Sequence, residues 1–197
     1  MFDVYSWIIL FCFLAALILS VIFAIIRIHI EKKYFSKEKL REYEKSLENY
    51  NLSINDSIDD VAKKFKKTIK FIGMKKEGHI SDCTSYIDIS SKLSKEKKNF
   101  AIAHELGHNI RGFKSEANRN KKTIINKFSP EEQVCDYYAA AILLPIKDME
   151  KLLKESEYLY LDKKDKEIFI EKLAKMKQIS PEVVYRRINE VSFLTAN

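Results

Sequence analysis

Phe100-Ala101-Ile102-Ala103-His104-Glu105-Leu106-Gly107-His108-Asn109-Ile110 is the stretch from which the rest of the chain is read. Residues four apart in a helix lie on one face about a turn apart, so His104 and His108 offer two imidazole nitrogens to one metal ion. That arrangement suits zinc. Glu105 sits one position round, close enough to reach a water beside the metal without taking a coordination position, which is the placement of a general base. Phe100, Ala103, Leu106, Gly107 and Ile110 recur at helical spacing and give the segment an apolar face. Ser94 is placed to cap the helix start and Gly112 to end it. A glycine inside a helix costs about 1 kcal/mol relative to alanine, so Gly107 implies close approach of another element. An accidental pentapeptide without a metal is the competing reading, and the helical context weakens it.

Composition bounds the rest. The chain has 197 residues, 46% hydrophobic and 32% charged, enough for one globular domain with a core plus appended sequence. Four glycines and three prolines argue for a mainly helical protein with few tight turns. The net charge of +7 is spread among interleaved lysines and glutamates, with part of the excess beside an apolar segment, so a membrane explains it better than nucleic acid does. Cys12, Cys83 and Cys135 form no CxxC pair and leave an odd count, which indicates neither a disulfide framework nor a thiolate zinc site.

From Trp7 to Ile26 the chain carries no charge, over about the 20 residues that cross a bilayer as a helix. A signal peptide is the rival reading, but the preceding residues include Asp3 and no Lys or Arg, and no small-residue cleavage site follows. Arg27, Lys32, Lys33, Lys37, Lys39 and Arg41 crowd the far side. By the positive-inside rule the N-terminus is then outside and the remainder cytoplasmic, a single-pass membrane protein held through residues 7–26. The expected division is residues 1–26 as short external tail and transmembrane helix, 27–55 as a charged juxtamembrane helix or linker, and 56–197 as the globular domain. Ile58, Val61, Ala62 and Phe65 mark a short amphipathic helix at its start. Thr68 to Ile72 and Tyr86 to Ile89 are β-prone, so two or three strands are expected before the His104 helix, with His79 on a loop between them. The fold class is α+β and mainly helical, with a small sheet packed on the His104 helix and one N-terminal transmembrane helix.

A catalytic zinc needs a third protein ligand. A metzincin would place Gly and then His three and six residues after His108, where this chain has Arg111 and Lys114, so that class is excluded. Ser129-Pro130-Glu131-Glu132 reads as a helix start, and Glu132 and Asp136 share one face of that helix. Glu132 can bind the metal while Asp136 accepts a hydrogen bond from the outer nitrogen of a ligand histidine. Ser129 and Glu132 equally form a capping box that needs no metal. Glu116, in a polar stretch, is a second contender for the third ligand.

Phe100 through His108, Glu132-Gln133-Val134-Cys135-Asp136-Tyr137-Tyr138-Ala139-Ala140 and Leu143-Leu144-Pro145 together resemble the ImmA/IrrE family of metallo-endopeptidases, in general layout over roughly residues 56–190. The resemblance implies a gluzincin-like site holding one zinc ion through His104, His108 and Glu132, with Glu105 as base. It favours the metal role of Glu132 over the capping one. Cys135, Tyr138 and Leu144 depart from the commoner alanine, phenylalanine and methionine, and none is a proposed ligand. The family also implies a protein substrate of regulatory type, such as a transcriptional repressor of the phage or mobile-element kind.

Leu173 to Ile188 reads as a helix, a turn at Ser180 and a second helix bearing Arg186 and Arg187, similar to a helix-turn-helix. Ordinary packing is the commoner origin of that pattern, and the family resemblance implies a packed helical tail. The expectation is therefore a membrane-tethered zinc endopeptidase. A zinc-binding interaction module and a membrane-anchored DNA-binding regulator, both without peptidase activity, are the alternatives.

Overall fold

An uncharged run dominated by leucine, isoleucine and phenylalanine has few polar side chains to compete for its backbone, and it forms a single helix, α1, over Val4–Phe35. This computed structural model describes residues 4–75, 77–80, 85–112 and 129–196. At 1.5 Å per residue α1 is roughly 48 Å long. Among its described side chains Phe11 is exposed at 73% and Phe23 at 69%. By length and composition α1 is able to cross a membrane. The helix does not stop where the apolar run ends at Ile26; Arg27, Lys32 and Lys33 continue it, and Arg27 Nε lies 2.9 Å from Glu31 one turn on. At Ser36 the chain bends, and that hydroxyl accepts a hydrogen bond from the Lys39 backbone N–H at 3.3 Å, starting helix α2 (Lys37–Leu47).

A second compact unit begins at Arg41, inside α2. The sequence pattern put the start of the globular domain at residue 56 and left 27–55 as juxtamembrane helix or linker. The difference has a packing cause. Tyr43 sets its ring 5.7 Å from that of Tyr137 and 5.3 Å from that of Tyr138, Leu47 is buried, and Tyr50 stacks on Phe65 at 3.8 Å. An apolar stripe on a charged helix thus belongs to the core.

Helix α3 (Ile58–Lys64) is capped by Ser57, whose hydroxyl accepts from the Asp60 N–H at 3.2 Å. It leads into β1 (Thr68–Ile72), then β2 (Gly78–Ile80) and β3 (Tyr86–Ser90). The sheet order is β1-β3-β2, with β1 parallel to β3 and β2 antiparallel to it. His79 therefore lies in a strand and not on the expected loop. Ile80, Ile87 and Ile89 are buried against helix α4 (Lys95–Arg111), which follows. Ser94 caps α4 by accepting from the Lys97 N–H, and Gly112 ends it with φ +60°, the left-handed conformation glycine adopts without a Cβ clash.

On its other side α4 packs against α5 (Pro130–Leu143). Being covered twice, α4 is buried at Ala101, Ile102, Ala103 and from Glu105 to His108, more than a single apolar stripe, while Phe100 and Ile110 at its ends are half-buried. Helices α6 (Ile146–Glu155), α7 (Lys163–Lys177) and α8 (Pro181–Thr195) complete the unit, with Met149, Val184 and Ile188 buried. Ser180 occupies the cap position of α8 without accepting the usual backbone hydrogen bond, so Pro181 in the first turn marks the helix start.

Candidate metal centre

The site depends on how closely α5 approaches α4. A Cβ built on Gly107 would lie 3.0 Å from Tyr138 Cβ and 3.1 Å from the Cys135 carbonyl oxygen, tighter than ordinary contact. The missing side chain lets the α5 backbone come down on α4, as the glycine's position in a helix implied. Within a turn of that contact on each helix, this proximity brings His104 and His108 to Glu132 and Asp136.

His104 Nε2 lies 3.1 Å from His108 Nε2 and 3.2 Å from Glu132 Oε2, and His108 Nε2 lies 3.8 Å from Glu132 Oε1. Ligand atoms about 2.0–2.1 Å from a tetrahedral ion are separated from one another by roughly 3.3 Å. The three donor groups, all within 4.8 Å of one another, fit a small tetrahedral cation. Ser129 does cap α5, its hydroxyl accepting from the Glu132 N–H at 3.3 Å, but the Glu132 carboxylate turns to the imidazoles. The cap and the cluster thus use different atoms of Glu132, so the two readings of that residue are compatible. Glu116, the other contender, and Cys83 lie outside the described residues.

The outer nitrogens are held as well. His104 Nδ1 is 2.8 Å from Asp136 Oδ1; donation there leaves Nε2 to aim its lone pair at the cluster. His108 Nδ1 is 3.3 Å from the buried Cys135 Sγ. Cys135 was not singled out as a site residue, yet it sits three residues after Glu132, a helical spacing that puts the two on one face. Arg186 was also missed in this role: its Nη2 donates to the Asp136 carbonyl at 2.6 Å, and its guanidinium lies 6.0 Å from the Phe100 ring.

The electrostatics favour added positive charge. Burial by itself would lower the pKa of His104, but hydrogen bonds to Asp136 and Glu132, with the charges of Asp136 and Glu105, overcome it and raise the value to about 9. Burial would push the Glu132 carboxyl up, and the hydrogen bonds and charges of His104 and His108 instead hold it far below the usual carboxylate range. Burial first, then the neighbouring carboxylates, push the Cys135 thiol up, so it serves His108 as a neutral thiol. Glu105 is buried and faces the edge strand, its Cγ 2.9 Å and its Oε1 3.0 Å from where a Cβ on Gly78 would lie.

Residues 66–189 match the IrrE N-terminal-like domain, a peptidase family, and this span covers more than half of the chain. The chain belongs to the IrrE N-terminal-like family. No curated protein matches it in sequence. Among solved structures it resembles a Mycobacterium tuberculosis transcriptional regulator, with a TM-score of 0.53 at 14% identity over 80% of this chain. The match spans 48% of that regulator, and at such low identity it speaks to the fold alone. The family assignment makes a metal-dependent peptidase role the natural frame for the cluster. Within the family's matched span fall His104, Glu105, His108, Glu132 and Asp136, all carried by the paired helices α4 and α5.

Proposed function

We propose that this chain is a membrane-tethered, zinc-dependent endopeptidase acting on a regulatory protein, with His104, His108 and Glu132 as ligands, Glu105 as general base and Asp136 orienting His104. The convergence of His104, His108 and Glu132 at near-tetrahedral spacing carries this reading. When bound there, zinc would supply Lewis acidity, polarising a peptide carbonyl and bringing the pKa of water towards 7. The chain's own residues do the rest. Glu105 takes the proton of the attacking water and returns it to the leaving amine, while Asp136 keeps the His104 ring from turning. Cys135 restrains His108 in the same way.

The helix-turn-helix reading loses its two arginines. Arg187 is fully buried, and Arg186 donates to the Asp136 carbonyl, so both are engaged with the protein itself. The basic residues after the apolar run support a cytoplasmic domain, where a transcriptional repressor would be an accessible substrate. A reporter fused at Asn197 that is active only in the cytoplasm tests the orientation.

The activity test is co-expression of the full chain, and of Glu105→Gln, with candidate repressors encoded beside it, reading cleavage on a gel. The native chain cuts its substrate, whereas Glu105→Gln keeps zinc and loses at least about 10²-fold in rate. Equal cleavage by both chains would remove Glu105 from the mechanism. Zinc binding with no effect of Glu105→Gln on the output of any co-expressed regulator would favour the interaction module.

A further inference from the structure

The catalytic base and the sheet meet at a glycine. In the β2–β3 register Gly78 stands opposite Ile89 and Ile80 opposite Ile87, so Gly78 and Ile80 face α4 together while His79 faces away. Ile80 is 1% exposed on that face. A Cβ on Gly78 would lie 2.9 Å from Glu105 Cγ, 3.0 Å from Glu105 Oε1 and 3.1 Å from Ile89 Cδ1. The first of these is closer than a real Cβ tolerates. The backbone does not itself require glycine here, because Gly78 is in a strand and, among the described glycines, positive φ occurs at Gly112. Gly73, just beyond β1, has nothing within 4 Å of its Cβ position. The requirement at 78 is for space, and the occupant of that space is the Glu105 side chain.

We propose that Gly78 is a positioning residue for Glu105: the bare backbone of the edge strand β2 forms one wall of the slot in which the carboxylate lies. The proposal rests on Glu105 being the base. An alanine at 78 displaces or rotates the carboxylate, and misplacement by about 1 Å is enough to lower a rate on the order of 10²-fold. It leaves the ligand atoms of His104, His108 and Glu132 where they are, since these meet between α4 and α5.

Two measurements on the full chain test it without a known substrate. The first is a thermal double-mutant cycle of Gly78→Ala with Glu105→Ala, in metal-free protein, with Gly73→Ala as control. Gly78→Ala lowers the Tm by about 3 °C or more when Glu105 is present. In the Glu105→Ala background, where Cγ and Oε1 are gone and Ile89 Cδ1 at 3.1 Å is what still crowds the new Cβ, the fall is much smaller. Gly73→Ala shifts both backgrounds equally. An equal fall for Gly78→Ala in both backgrounds, or no fall in either, overturns the proposal. Should Gly78→Ala fail to fold, recovery of folding by Glu105→Ala supports the assignment and its absence overturns it.

The second uses cobalt(II) alone as probe. The pH midpoint of its visible spectrum follows ionisation of the water beside Glu105, so Gly78→Ala moves the midpoint by about 0.5 pH unit or more and leaves cobalt content unchanged. Gly73→Ala moves neither. An unmoved midpoint in Gly78→Ala reduces the glycine to a packing role. If the chain takes up no cobalt, the peptidase reading fails while the thermal cycle still judges the Gly78 contact.

Discussion

Arg187 and the His104 cluster are both polar groups packed against α5, and they are satisfied in opposite ways. Arg187, wholly buried on α8, donates from Nη1 to Glu44 at 2.7 Å and from Nε to the Leu144 carbonyl at 2.9 Å, with Glu190 3.5 Å away. Tyr137 also donates to Glu44, and its ring lies 5.5 Å from the guanidinium. Burial opposes the charge on Arg187, but the charge and hydrogen bond of Glu44 dominate and keep it ionised. This cluster brings its own cation. The other gathers two imidazoles and two carboxylates, and meets the carboxylates' demand by drawing a proton onto His104. A buried charge with a matched partner holds the fold together, whereas converging lone pairs held only by a proton offer a place for a metal. The contrast separates a strut from a site on one helix.

The largest expected effect is on the strut. Arg187→Ala leaves Glu44 and Glu190 without their buried cation and destabilises the chain by about 3–5 kcal/mol, measured by urea unfolding. The same experiment on Glu132→Ala gives a much smaller loss of stability but removes a ligand, so zinc affinity measured by competition with a chelator falls by more than 100-fold, beyond the range of an outer partner. If Arg187→Ala lowers zinc affinity without lowering stability, the division between the clusters is wrong.

Changing pH sharpens the comparison. His104 has its folded-state pKa raised from 6.5 to about 9, so in metal-free protein its contribution to stability is fully present below about 6.5 and is lost as pH rises through about 9. Glu132, with a lowered pKa, contributes above about 4.5 and loses that contribution as pH falls. Zinc takes the place of the proton on His104, so its affinity moves the other way and rises with pH across 6.5 to 9. Unfolding of zinc-free and zinc-loaded chain at several pH values checks both signs. A metal-free chain that gains stability from this group on going from pH 6.5 to 9 would contradict them.

Smaller effects are expected at the margins of the site. Asp136→Asn retains the ligands but loosens the hold on His104, lowering zinc affinity by about 10–100-fold. Ser129→Ala removes the cap of α5 and costs about 1 kcal/mol, with zinc affinity nearly unchanged because the Glu132 carboxylate, not its backbone, faces the imidazoles. Matching losses of zinc in the two variants would show that Asp136 acts only through helix stability.

What was legible in the sequence follows the range of each interaction. Ser94, Gly112, the 104/108 pair and the implication of Gly107 are local, within a few residues, and helical geometry makes them readable. The pairing of α4 with α5 spans 28 residues from His104 to Glu132, and needed the family resemblance to choose Glu132. The packing of α2 on the second unit was not legible because its evidence is more distant still. Glu44 looks like any glutamate of a charged helix until Arg187, 143 residues on, is seen beside it. His79 was read as a loop residue because β2 is a strand of three residues, Gly78–Ile80, too short for a period-two pattern to stand out. Nothing local marks Gly78; only the position of Glu105 beside it gives it a reason.

The measurement that tests the central claim most directly is the metal content of the purified chain after exposure to zinc and removal of excess, for the native sequence and for the His104→Ala/His108→Ala double variant. The account predicts about one zinc per native chain and none above background in the double variant, with both folded. A double variant that keeps its zinc, or a native chain that takes up none, would contradict it.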